Sequence, residues 1–213
     1  LTPAAGARAV YWGRSDDPTA FYLPSNRRDA RDKDLEKLDL ESLEQERLYE
    51  NPEGYGIGSI SHNEQFLALS KPVSRDEVDL FLLDLSNGEM TRINENPAAN
   101  SDQDFAPDDS SLLYTTDEGS EYAYLMEYNL ESGERSKVME RNWDIMGSSF
   151  TEKGTFRVTY INEDAKNAIE IQEVATGKPI ELPALEGMNI NSVGFSTDET
   201  KMRFFAGDSN SPS

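Results

Sequence analysis

The sequence offers a single histidine, His62, and no cysteine. A Ser-His-Asp triad needs an imidazole base, and His62 would have to supply it. Thiolate zinc sites, a cysteine nucleophile and disulfides are excluded together. No Gly-x-Ser-x-Gly elbow, the turn that presents a nucleophilic serine, occurs anywhere. Cations such as calcium want clustered oxygens, and Asn94, Glu95, Asn96, Asn100, Asp102 and Asp104 lie close together. They lack EF-hand spacing, so a solvated loop is the expected reading and no metal site is assigned. Arg27-Arg28 has the fork geometry that grips a carboxylate, set against the plainer reading of two solvated charges. Trp143 could serve as a ligand platform. With 41 acidic residues, pairs of carboxylates are unavoidable and by themselves identify no glycosidase.

The charge balance removes other partners. Asp and Glu total 41 against 20 Lys and Arg, giving a net charge of −21 over 213 residues. That field repels phosphate backbones and anionic membrane surfaces, so nucleic acid is not an expected partner. Apolar runs such as Phe66-Leu67-Ala68-Leu69 are far shorter than the roughly 20 residues of a membrane span, so no membrane insertion is expected. Leu1-Thr2-Pro3-Ala4-Ala5-Gly6 lacks a basic start and an apolar stretch, so any export signal is expected to be already removed, or the chain to begin inside a larger protein.

The elements that must position these residues are set by a repeat. Phe105-Ala106-Pro107-Asp108-Asp109, Phe150-Thr151-Glu152-Lys153-Gly154 and Phe195-Ser196-Thr197-Asp198-Glu199 start 45 residues apart, and the same stride reaches Ile60-Ser61-His62-Asn63-Glu64 and Ser15-Asp16-Asp17-Pro18. Each turn leads into a short aromatic and aliphatic run: Phe21-Tyr22-Leu23, Phe66 to Leu69, Leu112-Leu113-Tyr114, Phe156 to Tyr160 and Met202 to Phe205. A second series of turns places glycines at Gly88, Gly133 and Gly177. Each unit reads as four strands, the size of one β-propeller blade. The expected fold is therefore all-β: a propeller of four-stranded antiparallel blades, about four and a half of them, in an incomplete ring. The blades fall at about 7–51, 52–96, 97–140 and 141–185, with part of a fifth over 186–213. Arg31 to Asn51 has a helix-like composition, but the stride demands a strand from about Leu35 to Leu40 with a turn over Glu41-Ser42-Leu43-Glu44. At the same stride His62 meets Pro107, Glu152 and Thr197, which marks a surface turn more than a catalytic base. Phe105, Phe150, Phe195, Tyr114, Tyr160 and Phe204 recur at blade spacing and are expected to pack between blades. Because an open ring leaves an unpaired edge, the region of Phe204-Phe205 is expected to favour self-association.

Phe-Ser-Pro-Asp-Gly followed by a strand and Asp-Leu-x-x-Gly is the repeat shared by TolB and prolyl-oligopeptidase family propellers. Phe105 to Asp109, Phe195 to Glu199 and Asp84-Leu85-Ser86-Asn87-Gly88 resemble it. Ser25-Asn26-Arg27-Arg28-Asp29, Leu48 to Pro52, Thr116 to Leu125 and Arg157 to Asp164 are similar to the N-terminal propeller of bacterial prolyl-oligopeptidase-type serine peptidases. The chain departs from the pattern where Glu64, Asp109, Glu199 and Pro18 stand at or near the turn glycine. The resemblance implies a propeller without catalytic residues or cofactor, filtering peptide substrates for a C-terminal α/β-hydrolase domain of the same parent chain. It also slightly favours a periplasmic or exported location. Dipeptidyl-aminopeptidase relatives hold the substrate amino terminus with adjacent glutamates; Asp117, Glu118 and Glu121 are the nearest substitutes, set against an ordinary exposed loop. The alternative is a TolB-like scaffold for protein–protein interaction with no enzyme attached. A propeller lyase would need a histidine-rich metal centre, which one histidine does not provide.

Overall fold

The computed structural model describes residues 6–14, 19–164, 166–185 and 188–207, so the Ser15 to Pro18 turn and the Ser209 to Ser213 tail lie outside it. Eighteen strands form among the described residues. The first sheet contains β1 (Gly13–Arg14), β2 (Ala20–Ser25), β3 (Asp34–Asp39) and β4 (Gln45–Tyr49). The second contains β5 (Gly56–Ile60), β6 (Phe66–Pro72), β7 (Val78–Asp84) and β8 (Met90–Arg92). The third contains β9 (Ser101–Phe105), β10 (Ser111–Thr116), β11 (Tyr124–Asn129) and β12 (Arg135–Met139). The fourth contains β13 (Asp144–Phe150), β14 (Phe156–Glu163), β15 (Lys166–Glu173) and β16 (Pro179–Ile180); the last pairs β17 (Asn189–Phe195) with β18 (Met202–Gly207). All pairings are antiparallel between consecutive strands. β1 is prolonged toward its N-terminal side, where Trp12 N donates to Tyr22 O and Val10 N to Pro24 O.

The core lies between sheets. Tyr22 and Leu35 of the first sheet meet Leu67, Leu69 and Leu83 of the second. Leu80 and Leu82 meet Phe105, Leu112 and Tyr114 of the third. Leu113 and Leu125 meet Ile145 and Ile161 of the fourth. Burying a large apolar side chain is worth about 1.5–3 kcal/mol, so each sheet is stabilised chiefly by its neighbours. Phe156 stacks on Phe195 at 5.0 Å, linking the fourth sheet to the fifth. Phe204 departs from expectation. It is 38% exposed and Phe205 53%, since the fifth sheet has only two described strands and no described sheet covers its outer side.

The helix-like segment is β3 and β4, as the stride demands. The strand is held by charge pairing: Asp34 and Glu36 are almost fully buried, and Arg28 and Arg27 meet them at 2.8 Å. A helix would leave those carboxylates in water, whereas the sheet delivers them to their partners.

Two series of left-handed residues recur through the chain. In the turn before each fourth strand stand Leu43, Gly88, Gly133 and Gly177, with φ of 59°, 77°, 72° and 69°. In the turn after each first strand stand Glu64, Asp109, Gly154 and Glu199, with φ of 58°, 54°, 70° and 58°. The acids that replace glycine in the second series reach back to the preceding sheet. Glu64 Oε1 accepts from Tyr22 OH and Lys37 Nζ, both at 2.7 Å. Asp109 accepts the His62 and Asn63 amides at 2.8 Å, and Glu199 accepts the Lys153 amide at 2.5 Å. Leu43 is 61% exposed and has no such compensation. A side chain in this region costs roughly 1 kcal/mol. Leu43→Gly is therefore expected to stabilise the protein by about 0.5–1 kcal/mol, and Asp109→Gly to destabilise it despite relieving the same strain. Urea unfolding of the two variants checks this: a loss in the first or a gain in the second contradicts the account.

Candidate functional site: the inner strands and the cleft beside Trp12

In the second to fifth sheets the first strand carries a bulge where it pairs with the second. It falls at Gly58-Ser59 in β5, Gln103 in β9, Met146 in β13 and Asn191 in β17. A bulge re-aims side chains and exposes ladder groups, which neighbouring sheets then satisfy. β9 does this on both sides. Asp102 Oδ2 accepts from Ser59 N at 2.7 Å and Ser59 Oγ at 3.1 Å. In the other direction Gln103 Oε1 accepts from Ser148 N at 3.0 Å and Asp104 Oδ2 from Phe150 N at 2.8 Å. Gly58 lacks a side chain because the Asp102 carboxylate fills the space where a Cβ would stand.

Two cavities lie along the first sheets, the second reaching Asp104 of β9, and Trp12 borders both. One, of about 370 Å³, is lined by Val10, Trp12, Tyr55 and Ile57, with Arg31, Asp32 and Lys33 contributing charges of both signs. The other, of about 230 Å³, is lined by Trp12, Tyr22, Ser59, Ser61, His62 and Asp104. The Trp12 and Tyr22 rings meet edge to face at 6.4 Å. Burial pushes the Asp104 carboxyl up to about 6, against the opposing influence of the Phe150 amide and His62.

The His62 ring sits with Nδ1 3.2 Å from Asp109 Oδ1. Neighbouring Ser61 directs its hydroxyl into its own turn, donating to Asn63 Oδ1 at 2.8 Å and accepting from Phe66 N at 2.8 Å. The His–Asp contact thus joins the turns of two sheets.

Antiparallel meanders put the loops after the second strands and the links between sheets on one face. Arg27, Arg28, Asp117, Glu118 and Glu121 all occupy that face. Arg27 is engaged by Glu36 and by Gln45 Oε1 at 2.5 Å; Arg28 grips Asp34 through two nitrogens and also donates to Asn51 O at 3.0 Å. Asp117 accepts the Ala99 amide at 2.8 Å, and Glu118 accepts from Asn96 and from Arg135 at 3.2 Å. Glu121 is exposed, in the loop whose Tyr122 ring lies 6.2 Å from Trp143. The acidic and amide cluster before β9 is dispersed: Asn94 binds Leu80 N and Asp79, Glu95 binds Arg135 at 2.9 Å, and Asn100 binds backbone carbonyls. Among the described residues no group of three or more acids or histidines converges on a metal position. Sequence reading missed Trp12 and the placement of Asp104 beside it; bulged inner-strand positions at the 45-residue stride were the available signal.

The comparisons give fold without close kinship. No family model matches the chain, and no curated protein matches it. TolB from Acinetobacter baumannii aligns over 92% of this chain and 48% of its own, with TM-score 0.65 and 13% identity. The fold is a TolB-like β-propeller. This chain spans about half the length of that TolB structure. A prolyl endopeptidase contains the same propeller architecture over 97% of this chain and 35% of its own, with TM-score 0.65 and 18% identity. An oligogalacturonate lyase from Vibrio parahaemolyticus aligns over 92% and 56%, with TM-score 0.62 and 18% identity. Among the described residues of this propeller, no helix is long and apolar enough to cross a membrane.

Proposed function

We propose that this chain is the non-catalytic propeller segment of a prolyl-oligopeptidase-like serine peptidase. It gates and positions peptide substrates for an α/β-hydrolase domain belonging to the same parent chain, in a periplasmic or exported setting. The observation that carries this reading is the fit to a prolyl endopeptidase: nearly all of this chain, at 97%, matches only 35% of that protein. A propeller joined to a larger remainder gives that proportion. The side-chain chemistry agrees, since the His62–Asp109 contact holds two turns together while Ser61 is committed to its own turn. Within this reading, Arg27, Arg28, Asp117, Glu118 and Glu121 are the proposed substrate contacts, with the exposed Trp143 ring beside Glu121's loop as a platform for an incoming peptide. The similarity to TolB supports a second reading, a binding scaffold without an attached enzyme.

A peptidase assay on the 213-residue chain, using chromogenic prolyl peptides, is expected to show no turnover above the blank. Hydrolysis abolished by His62→Ala would overturn the assignment. The coding sequence beyond Ser213 separates the two readings: a Gly-x-Ser-x-Gly elbow supports the peptidase, and an early stop supports the scaffold.

A further inference from the structure

We propose that the cavity shared by Trp12, Tyr22, Ser59, Ser61, His62 and Asp104 is a binding site for a small organic ammonium ion on a compact apolar body. The site stands on this chain's own residues and holds whichever function is correct. Its anionic end is Asp104, whose carboxylate has one inter-sheet hydrogen bond, from Phe150 N, and no cation within ion-pair distance among the described residues. Asp104 is half-buried and also accepts the Phe105 amide; a carboxylate partly withdrawn from water without a counterion is destabilised, and it recovers stability from a proton or from a bound cation. The groups whose charge reaches it are His62, from the turn after β5, and Asp102, on its own strand; from β13 it receives only the Phe150 amide. His62 is in turn occupied with Asp109 at 3.2 Å.

The walls suit the same ligand. Trp12 and Tyr22 are set edge to face, and the Tyr22 hydroxyl is tied to Glu64 at 2.7 Å, which fixes the ring. Indole and phenol faces attract ammonium groups, most strongly where water is partly excluded. The net charge of −21 draws cations toward the cleft and repels anions. The cavity, about 230 Å³, admits one compact molecule beside the Ser59 and Ser61 backbone.

The test is calorimetric titration of the whole chain at pH 7.5 and physiological salt with 2-phenylethylammonium, using 2-phenylethanol as the neutral match. Saturable one-to-one binding of the ammonium is expected, with the alcohol at least about tenfold weaker. Asp104→Asn should abolish the preference, while Glu131→Gln on an exposed turn leaves it intact and so excludes diffuse attraction to the acidic surface. Carboxyl NMR of the wild-type chain adds a readout that needs no variant: the ammonium must pull the Asp104 titration to lower pH. Equal affinity for the alcohol, retention of the preference in Asp104→Asn, an unmoved Asp104 titration, or no saturable binding below about 10 mM would each overturn the proposal.

Discussion

Replacing Gly154 by alanine is expected to destabilise the protein by about 3 kcal/mol, lowering its unfolding midpoint by roughly 6–12 °C. Gly154 occupies the left-handed position of the turn after β13, with φ of 70°. A Cβ there would overlap the Pro107 ring, which belongs to the equivalent turn of the preceding sheet. A proline ring is fixed to its own backbone and has no rotamer into which to retreat, so the turns themselves must separate. The left-handed conformation adds roughly 1 kcal/mol for any residue with a side chain. Gly88→Ala isolates that part, since Gly88 has φ of 77° and nothing within 4 Å of the position its Cβ would take. It is expected to lose only about 1 kcal/mol. Thermal unfolding of the two variants side by side decides the matter: equal losses would show that contact between turns contributes nothing.

That contact illustrates which parts of the molecule are legible in its sequence. The 45-residue stride predicts every sheet, and it correctly overrules helix propensity in β3, because a repeat reports tertiary pairing that a local propensity does not contain. The turn carboxylates are harder. Glu64, Asp109 and Glu199 read as departures from a glycine pattern, yet each holds the left-handed conformation and spans to the preceding sheet. Nothing local distinguishes a strained acid from a bonded one; the bond is made to a residue about 45 positions away. Arg27 and Arg28 read as free cations for the same reason, since their partners Glu36 and Asp34 look like exposed helix positions until the strand turns them inward. Asp104 was visible only as one acid in a cluster, because the bulges that scatter that cluster to both neighbouring sheets depend on the ladder register. Phe204 shows the reverse error: a periodic aromatic is predicted to be buried, but burial requires a covering sheet, and among the described residues the fifth sheet has none beyond it.

The other large effect is expected at Asp34. Its carboxylate, 2% exposed, accepts from Arg28 at 2.8 Å and from the Asn51 amide at 3.0 Å, with Arg47 at 3.5 Å. Asn51 in turn closes the link to the second sheet by binding Lys33 O and both backbone groups of Tyr55. Asp34→Ala strips the acceptor from a buried amide and unpairs Arg28, and should destabilise by about 2–3 kcal/mol at pH 7. Burial pushes this carboxyl up, but the Arg28 and Asn51 hydrogen bonds and the two guanidinium charges outweigh it, leaving its pKa below the usual range. A depressed folded-state pKa gives stability that is present above the unfolded value, near 4, and is lost as pH falls through the folded one. The deficit of Asp34→Ala relative to wild type should therefore shrink on acidification. Asp104 carries the opposite sign: its pKa is raised to about 6, so ionisation opposes folding above that pH. Asp104→Asn is expected to stabilise at pH 7, with the gain disappearing as pH falls from about 6 toward 4. Denaturant unfolding at pH 7 and pH 4 measures both trends. A deficit for Asp34→Ala that grows in acid would mean that the buried arginine pairing contributes nothing, and that the strand is held by its leucines alone.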